Sequence, residues 1–373
     1  TLEQKVAQLF VVSPETLTGV DSVQYAGDMT YQALQDYPVG GIVFAKDNID
    51  SSSQFGTMTD NLQSYSEEIS GLPLFLAAAE EGGSASVLGN NDNLDEYYEN
   101  SYSDDDSDYS SSSANSVHSG APSMSEIGRK DDSTNAYEAG KSIGSLMSAY
   151  GLNLDLAPVA DVLSGNSTGI GNRTFGTDAQ TVSDMALEVI RGIQEEDVNA
   201  AMKYFPGYGA ASSNMSGFPV INSSLDELKK KEFLPYSNAI AQGMDFVMVG
   251  HISVPNVTGD DTPASLSEKM ISEVLRKDLG FKGIVMTDYL NDKTIVKNYG
   301  AADAAVKAIQ AGADLLLEPD DLEAAYEGVL KAVKKGDITE DRLDESIYRI
   351  LRVKLSMQDE SSDTTESESV SDY

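Results

Sequence analysis

The stretch GFKGIVMTDYL, residues 280–290, reads as a helix end, a buried strand and a polar strand exit in succession. Gly280 closes the periodic run Leu266–Leu279, at the point where a left-handed helix terminus favours glycine. The run from Gly283 to Thr287 is short and almost continuously apolar, as a parallel strand covered on both faces requires. Asp288 follows at once, at the end of the strand from which barrel enzymes project their chemistry.

The same unit recurs on either side. Strand-like runs lie at Leu9–Val12, Gly41–Phe44, Pro73–Ala79, Leu152–Pro158, Ala200–Phe205, Phe246–His251 and Ala313–Leu317. Helical periodicity fills Ala136–Tyr150, Ala179–Glu195, Leu225–Gln242, Ala301–Ala311 and Leu322–Lys335, and Gly151, Gly243 and Gly312 follow three of these runs. Eight strands, each followed by a crossover, is the count of an α/β fold of the (β/α)8 TIM-barrel type, expected here as a single domain over residues 1–356. An open doubly wound sheet is the rival that alternation alone leaves standing. Residues 91–120 break the pattern with Asn, Asp, Glu, Ser and Tyr, and too little apolar surface to offset ordering entropy. They read as an acidic low-complexity loop after the third strand, and 357–373 as a disordered acidic tail.

The formal charge is −36, which excludes nucleic acid and anionic membrane surfaces as partners, because both are bound by Lys and Arg. Part of that charge lies in 91–132, with 11 acidic and 2 basic residues, but the remainder is still acidic. There is no cysteine, so disulfides, thiolate catalysis and thiolate-bound zinc are excluded. Histidine is too scarce for a metal cluster, and the DDDSD run at 104–108 lacks the Gly and terminal Glu of an EF-hand loop. No metal and no organic cofactor are expected. No apolar run approaches the roughly 18 residues of a membrane span. The opening on Thr1 leaves room for a removed leader, and an extracellular or bacterial-surface location is expected, with the cytoplasm as the alternative. A monomer is expected. Asn166, Asn172, Asn214, Asn222 and Asn256 head glycosylation triplets that matter only in a suitable host.

An ionised Asp288 at a strand exit can attack an anomeric carbon to form a covalent glycosyl intermediate, although a strand-end Asp also serves as a helix cap. The segment around it resembles the nucleophile segment of family 3 glycoside hydrolases, written GF-x-G-x-(V/I)-x-(S/T)-D. Other segments match that family in the same order: LEQKVAQLF (2–10), VGGIVF (39–44), PSMSEIG (122–128), GLNLDLAPVADV (151–162), GNRTFGTD (171–178), AAMKYFPGYG (200–209), VMVGHISVP (247–255), PASLS (263–267) and AGADLLL (311–317). The pattern is closest to the single-domain branch, mostly β-N-acetylglucosaminidases. The resemblance implies retaining hydrolysis of terminal β-linked N-acetylhexosamine from glycans or peptidoglycan fragments. It implies Asp288 as nucleophile, Arg173 and Lys203 on sugar hydroxyls, and His251 lining the pocket floor. Arg173 pairing with a nearby carboxylate and His251 as a satisfied strand-end histidine are the plainer readings.

Two departures qualify the resemblance. The family's third-strand motif D-x-E-G-G-R reads here from Ala79 to Ser84, so its sugar-binding Asp and Arg are missing, while Glu81 remains as a hydrogen-bond acceptor for substrate. The family's K-H-F-P-G-H-G reads Lys203-Tyr204-Phe205-Pro206-Gly207-Tyr208-Gly209, and the following AASSNMSGFP lacks the Asp-His pair whose His is the acid/base. The two histidines of the chain, His118 and His251, cannot restore it. Three explanations compete: a carboxylate from the acidic insert, a tyrosine among Tyr204, Tyr208 and Tyr289, or a catalytically impaired member that acts as a surface glycan-binding or interaction domain.

Overall fold

The computed structural model describes residues 1–97, 121–164, 170–212 and 217–368, with the backbone alone at 95–97 and 359–368. Most of the acidic insert, including His118, lies outside the described residues, as do Asn166 and Asn214. Eight parallel strands are present: β1 (Phe10–Val12), β2 (Gly41–Val43), β3 (Phe75–Ala78), β4 (Leu154–Asp155), β5 (Asn199–Phe205), β6 (Phe246–Val249), β7 (Ile284–Thr287) and β8 (Leu316–Leu317). Each falls within one of the apolar runs read from the sequence, save for one residue at the start of β5.

Pairing runs from β7 back through β6 to β1 and then to β8, so strands adjacent in sequence are adjacent in space. Met286 bridges Leu315, and the Thr287 N–H donates to the Leu315 carbonyl at 3.0 Å, which brings the last strand back to β7. This near-closure is a (β/α)8 barrel and removes the open sheet, which needs a reversal of strand order.

The helical runs 136–150, 179–195, 301–311 and 322–335 appear within a few residues of expectation. The run 225–242 instead forms two helices, Leu225–Lys230 and Leu234–Ala241. Pro235 explains the break: it lacks an N–H and fits only the first turn of a helix, so a second helix must start just before it. The run 266–279 begins later, at Lys269, and winds with wide i→i+5 turns to Asp278. The insert also begins later than 91, because Asn91 and Leu94 are buried and the Asn93 side chain donates to the Ile49 carbonyl at 2.7 Å.

Helices Ser133–Ala149 and Ala179–Gln194 cross at glycines. A Cβ on Gly192 would sit 2.2 Å from the Tyr137 carbonyl oxygen, and one on Gly140 would sit 2.1 Å from that of Val189. Alanine is the better helix former by about 1 kcal/mol, but these contacts are with backbone that cannot rotate aside. Gly192→Ala should therefore destabilise the fold by about 1–3 kcal/mol, as overpacking does. A denaturant midpoint equal to or above that of the parent would show that the crossing opens freely.

The floor of the barrel, at the N-terminal ends of the strands, is closed by the last helix, Glu340–Glu368. That helix passes the 356 boundary assigned from the sequence. Its Lys354 is fully buried, donates to Gln8 Oε1 at 2.9 Å and lies 5.1 Å over the Phe75 ring, which packs edge-on against Phe246. Burial pulls the Lys354 ammonium down to about 7, because no carboxylate offsets the loss of water. In the unfolded chain it keeps its proton up to about 10.4. Between those values the unfolded state binds more protons, so this group's contribution makes stability rise with pH. Below pH 7 the full cost of a buried charge is present. Lys354→Met should stabilise the protein by a few kcal/mol at pH 6, after allowing about 1–3 kcal/mol for the orphaned Gln8 oxygen. The gain should shrink steadily toward pH 10. Melting curves of both proteins across that range test it, and a pH-independent difference would refute the buried charge.

Nearby, fully buried Asp314 gathers three arginines, Arg276, Arg342 and Arg349, of which the latter two come from the same last helix. One Asp314 oxygen also accepts from the Val285 N–H at 2.9 Å and the other from Ser346 Oγ at 2.7 Å.

Candidate active site

The opposite, C-terminal face of the barrel carries the candidate residues, Asp288, Glu81, Lys203 and His251 from β7, β3, β5 and β6 or just beyond them, and Arg173 from the short turn Gly171–Arg173. Asp288 directly follows β7, and its own N–H donates to the Val249 carbonyl of β6 at 2.9 Å, which holds the strand exit in register. Its Oδ1 accepts the Tyr289 N–H at 2.9 Å and its Oδ2 accepts the Tyr208 hydroxyl at 3.1 Å. A carboxylate held by two donors has a fixed direction. It lines a cavity of about 430 Å³ together with Tyr208, Phe218, His251, Tyr289 and Asp292.

Glu81, three residues beyond β3, is the hub of the neighbouring wall. Arg173 grips it in bidentate fashion, Nε to Oε2 at 2.6 Å and Nη2 to Oε1 at 2.7 Å, and Lys203 of β5 reaches Oε1 at 2.5 Å. Burial alone would raise the Glu81 carboxyl, but Lys203 and Arg173 outweigh it and hold it below its ordinary value. For Lys203, only 3% exposed, burial pulls down but the Glu81 carboxylate prevails and keeps the ammonium charged. The sequence reading gave Arg173 and Lys203 to sugar hydroxyls and left Glu81 as a substrate acceptor. The fold brings all three together in one ion cluster. Arg173 remains 31% exposed, and its Nη1 has no protein partner among the described residues. A second cavity, of about 300 Å³, opens beside it along Ser84, Ser123 and Asn172.

His251, two residues beyond β6, is nearly buried, with Nδ1 2.7 Å from Ser265 Oγ and Nε2 2.8 Å from the Tyr289 carbonyl. A carbonyl can only accept, so Nε2 carries the proton and Nδ1 accepts from the serine, a tautomer assigned from the network. Both ring nitrogens are thus engaged by protein, and the plainer reading of this residue describes its contacts.

The two tyrosines that stand in place of motif histidines build the rest of the wall. Their rings meet edge to face at 5.1 Å. Tyr204 accepts from Arg173 Nη2 at 2.7 Å, and Tyr208 accepts the His251 N–H at 2.9 Å while donating to Asp288. Burial lifts the Tyr208 phenol well above its usual value and the Asp288 charge adds to it. Burial likewise raises Tyr204 and Tyr289. All three phenols therefore stay protonated and are poor proton donors near neutral pH. Behind them Asp161, 1% exposed, accepts the Tyr204 N–H at 3.3 Å and is pushed up to about 7 by burial. Asp161 is thus tied to the end of β5 and is not among the residues that line the Asp288 cavity.

Sequence reasoning missed Asp292, which lines the Asp288 cavity four residues further on. The available signal was a second carboxylate four residues beyond Asp288, on the same strand-to-helix loop. A third and larger cavity, about 510 Å³, lies between Ser253, Asp261 and Tyr299 and shares Gly217 and Phe218 with the Asp288 cavity, without containing Asp288 itself.

Known proteins share this arrangement of fold and sequence. The chain is 28% identical to the beta-hexosaminidase LpqI of Mycobacterium tuberculosis over 359 residues, covering 94% of this chain and 82% of that protein. Among solved structures, a glycoside hydrolase family 3 beta-N-acetylglucosaminidase from a Paenibacillus species superposes with a TM-score of 0.83 at 31% identity, covering 96% of this chain and 63% of that one. A family 3 glycosyl hydrolase from Mycobacterium smegmatis gives 0.76 at 31% identity, covering 95% and 97%. The family description "Glycosyl hydrolase family 3 N terminal domain" matches residues 111–353, so the chain belongs to glycosyl hydrolase family 3.

Proposed function

We propose that this chain hydrolyses terminal β-linked N-acetylhexosamine with retention of configuration, through Asp288 as the attacking carboxylate. The observation that carries the reading is Asp288 itself. It is an ionisable group at a barrel strand exit, held by two hydrogen bonds and lining a cavity large enough for a sugar. The hexosaminidase and N-acetylglucosaminidase names of relatives that span nearly all of this chain support the substrate class. In this reading Arg173 offers Nη1 to a sugar hydroxyl, Lys203 and Glu81 keep its guanidinium oriented, and His251 shapes the cavity wall. The barrel from 1 to about 356 acts as one domain and as a monomer. An extracellular or bacterial-surface location accords with the acidic, cysteine-free composition, and no described helix is long and apolar enough to cross a membrane.

A second reading, a surface glycan-binding domain with little or no turnover, draws on the loss of the family histidines to Tyr204 and Tyr208 and of sugar contacts to Ala79 and Ser84. Incubation with an aryl β-N-acetylglucosaminide bearing an activated leaving group separates the two. Release of the aryl group that depends on Asp288 supports the hydrolase. Measurable sugar binding without any release supports the binding domain and removes the hydrolase.

A further inference from the structure

We infer that Asp292 is the general acid/base of this site, the group that protonates the leaving oxygen and then deprotonates the incoming water. The inference rests on the hydrolase reading and supplies its missing half. Asp292 lines the same cavity of about 430 Å³ as Asp288, and retention calls for two carboxyl groups facing one scissile bond. Its Oδ1 accepts the Thr294 N–H at 2.7 Å and the Ile295 N–H at 3.4 Å, capping helix Lys293–Asn298. Its Oδ2 has no protein partner among the described residues. One oxygen is anchored and the other is available.

Several neighbouring titratable groups among the described residues are engaged by the protein or sealed from the cavity. Glu81 is held by Arg173 and Lys203. Glu318, just past β8, accepts the Ser13 N–H at 2.5 Å, the Ser13 hydroxyl at 2.8 Å and the Thr16 hydroxyl at 2.6 Å. His251 has both nitrogens engaged, and Tyr204, Tyr208 and Tyr289 keep their protons. Asp155 and Asp161 are sealed in the barrel wall.

The chemistry balances with two carboxyl groups. In the first step an Asp288 oxygen bonds to the anomeric carbon as the bond from that carbon to the leaving oxygen breaks, and the Asp292 proton passes to that oxygen. In the second, the Asp292 carboxylate takes a proton from water, whose oxygen bonds to the anomeric carbon as the Asp288 ester opens. Both groups return to their starting states.

Asp292→Asn tests this cleanly, because asparagine caps a helix about as well as aspartate yet cannot transfer the proton. With a poor leaving group, such as an alkyl β-N-acetylglucosaminide, kcat/KM should fall about 10²–10⁴-fold. With a dinitrophenyl leaving group, which needs no protonation, kcat/KM should change little. Added azide should then accelerate turnover and give the β-glycosyl azide. If Asp292→Asn folds poorly, Asp292→Ser, another good cap, carries the same expectations. Equal effects on both leaving groups, or no azide acceleration, with the unsubstituted protein active, would overturn the role of Asp292 alone. Absence of Asp288-dependent turnover in the unsubstituted protein would remove the hydrolase reading and this inference together.

Discussion

Asp288→Ala should lose turnover of an activated aryl β-N-acetylglucosaminide by roughly 10⁴–10⁶-fold, the scale on which removal of other covalent nucleophiles falls. Leaving-group activation cannot mask the loss, because the missing atom is the one that must bond to the anomeric carbon in the first step. The fold should survive. Removing the carboxylate leaves two donors without their acceptor, the Tyr208 hydroxyl, whose oxygen still accepts the His251 N–H, and the Tyr289 N–H, and each unpaired buried donor costs about 1–3 kcal/mol. Azide should enter the vacated space and yield the α-glycosyl azide, the opposite anomer from that expected of Asp292→Asn. An Asp288→Ala protein that turns over within tenfold of the parent would show that this residue is not the nucleophile.

The second large effect lies at the other end of the barrel. Asp314→Ala should destabilise the chain by about 3–5 kcal/mol or more, since breaking a buried ion pair leaves uncompensated charge. Here the residue left behind is not one cation but three, Arg276, Arg342 and Arg349, and the Val285 N–H and Ser346 hydroxyl lose their acceptor as well. Burial already pulls Arg276 and Arg342 downward, against the attraction of Asp314. Total stabilities of about 5–15 kcal/mol leave little margin for such a loss. Urea unfolding of Asp314→Ala beside Gly192→Ala gives the comparison, and an Asp314 variant as stable as the parent would mean that the arginines are satisfied by other groups.

The barrel was legible because its strands are covered on both faces. A run such as Gly283–Thr287 must then be apolar throughout, and the helices before Gly151, Gly243, Gly280 and Gly312 end on glycines that adopt positive φ. The helix break near Pro235 was also written in the sequence, in a residue whose missing N–H has only one comfortable place. The site was legible in its parts and not in its connections. Arg173 and Lys203 lie 92 and 122 positions after Glu81, so nothing local marks their shared carboxylate. Asp292 carries no motif of its own, and only the fold brings it to the cavity of Asp288 while it caps the next helix. Lys354 looks like any solvent-facing lysine until the last helix turns that face onto the barrel floor.

The ring of strands also sets a timetable for the nascent chain. The partner of β1, β8, is made about 300 residues after it, a delay of roughly 15–60 s at ordinary synthesis rates. Lys354 and two of the Asp314 arginines emerge later still. Until then β1 has a bare edge of unpaired backbone groups, a template for pairing with another chain. A barrel that closes only with its eighth strand thus leaves one edge of its first strand open to other chains for most of its synthesis.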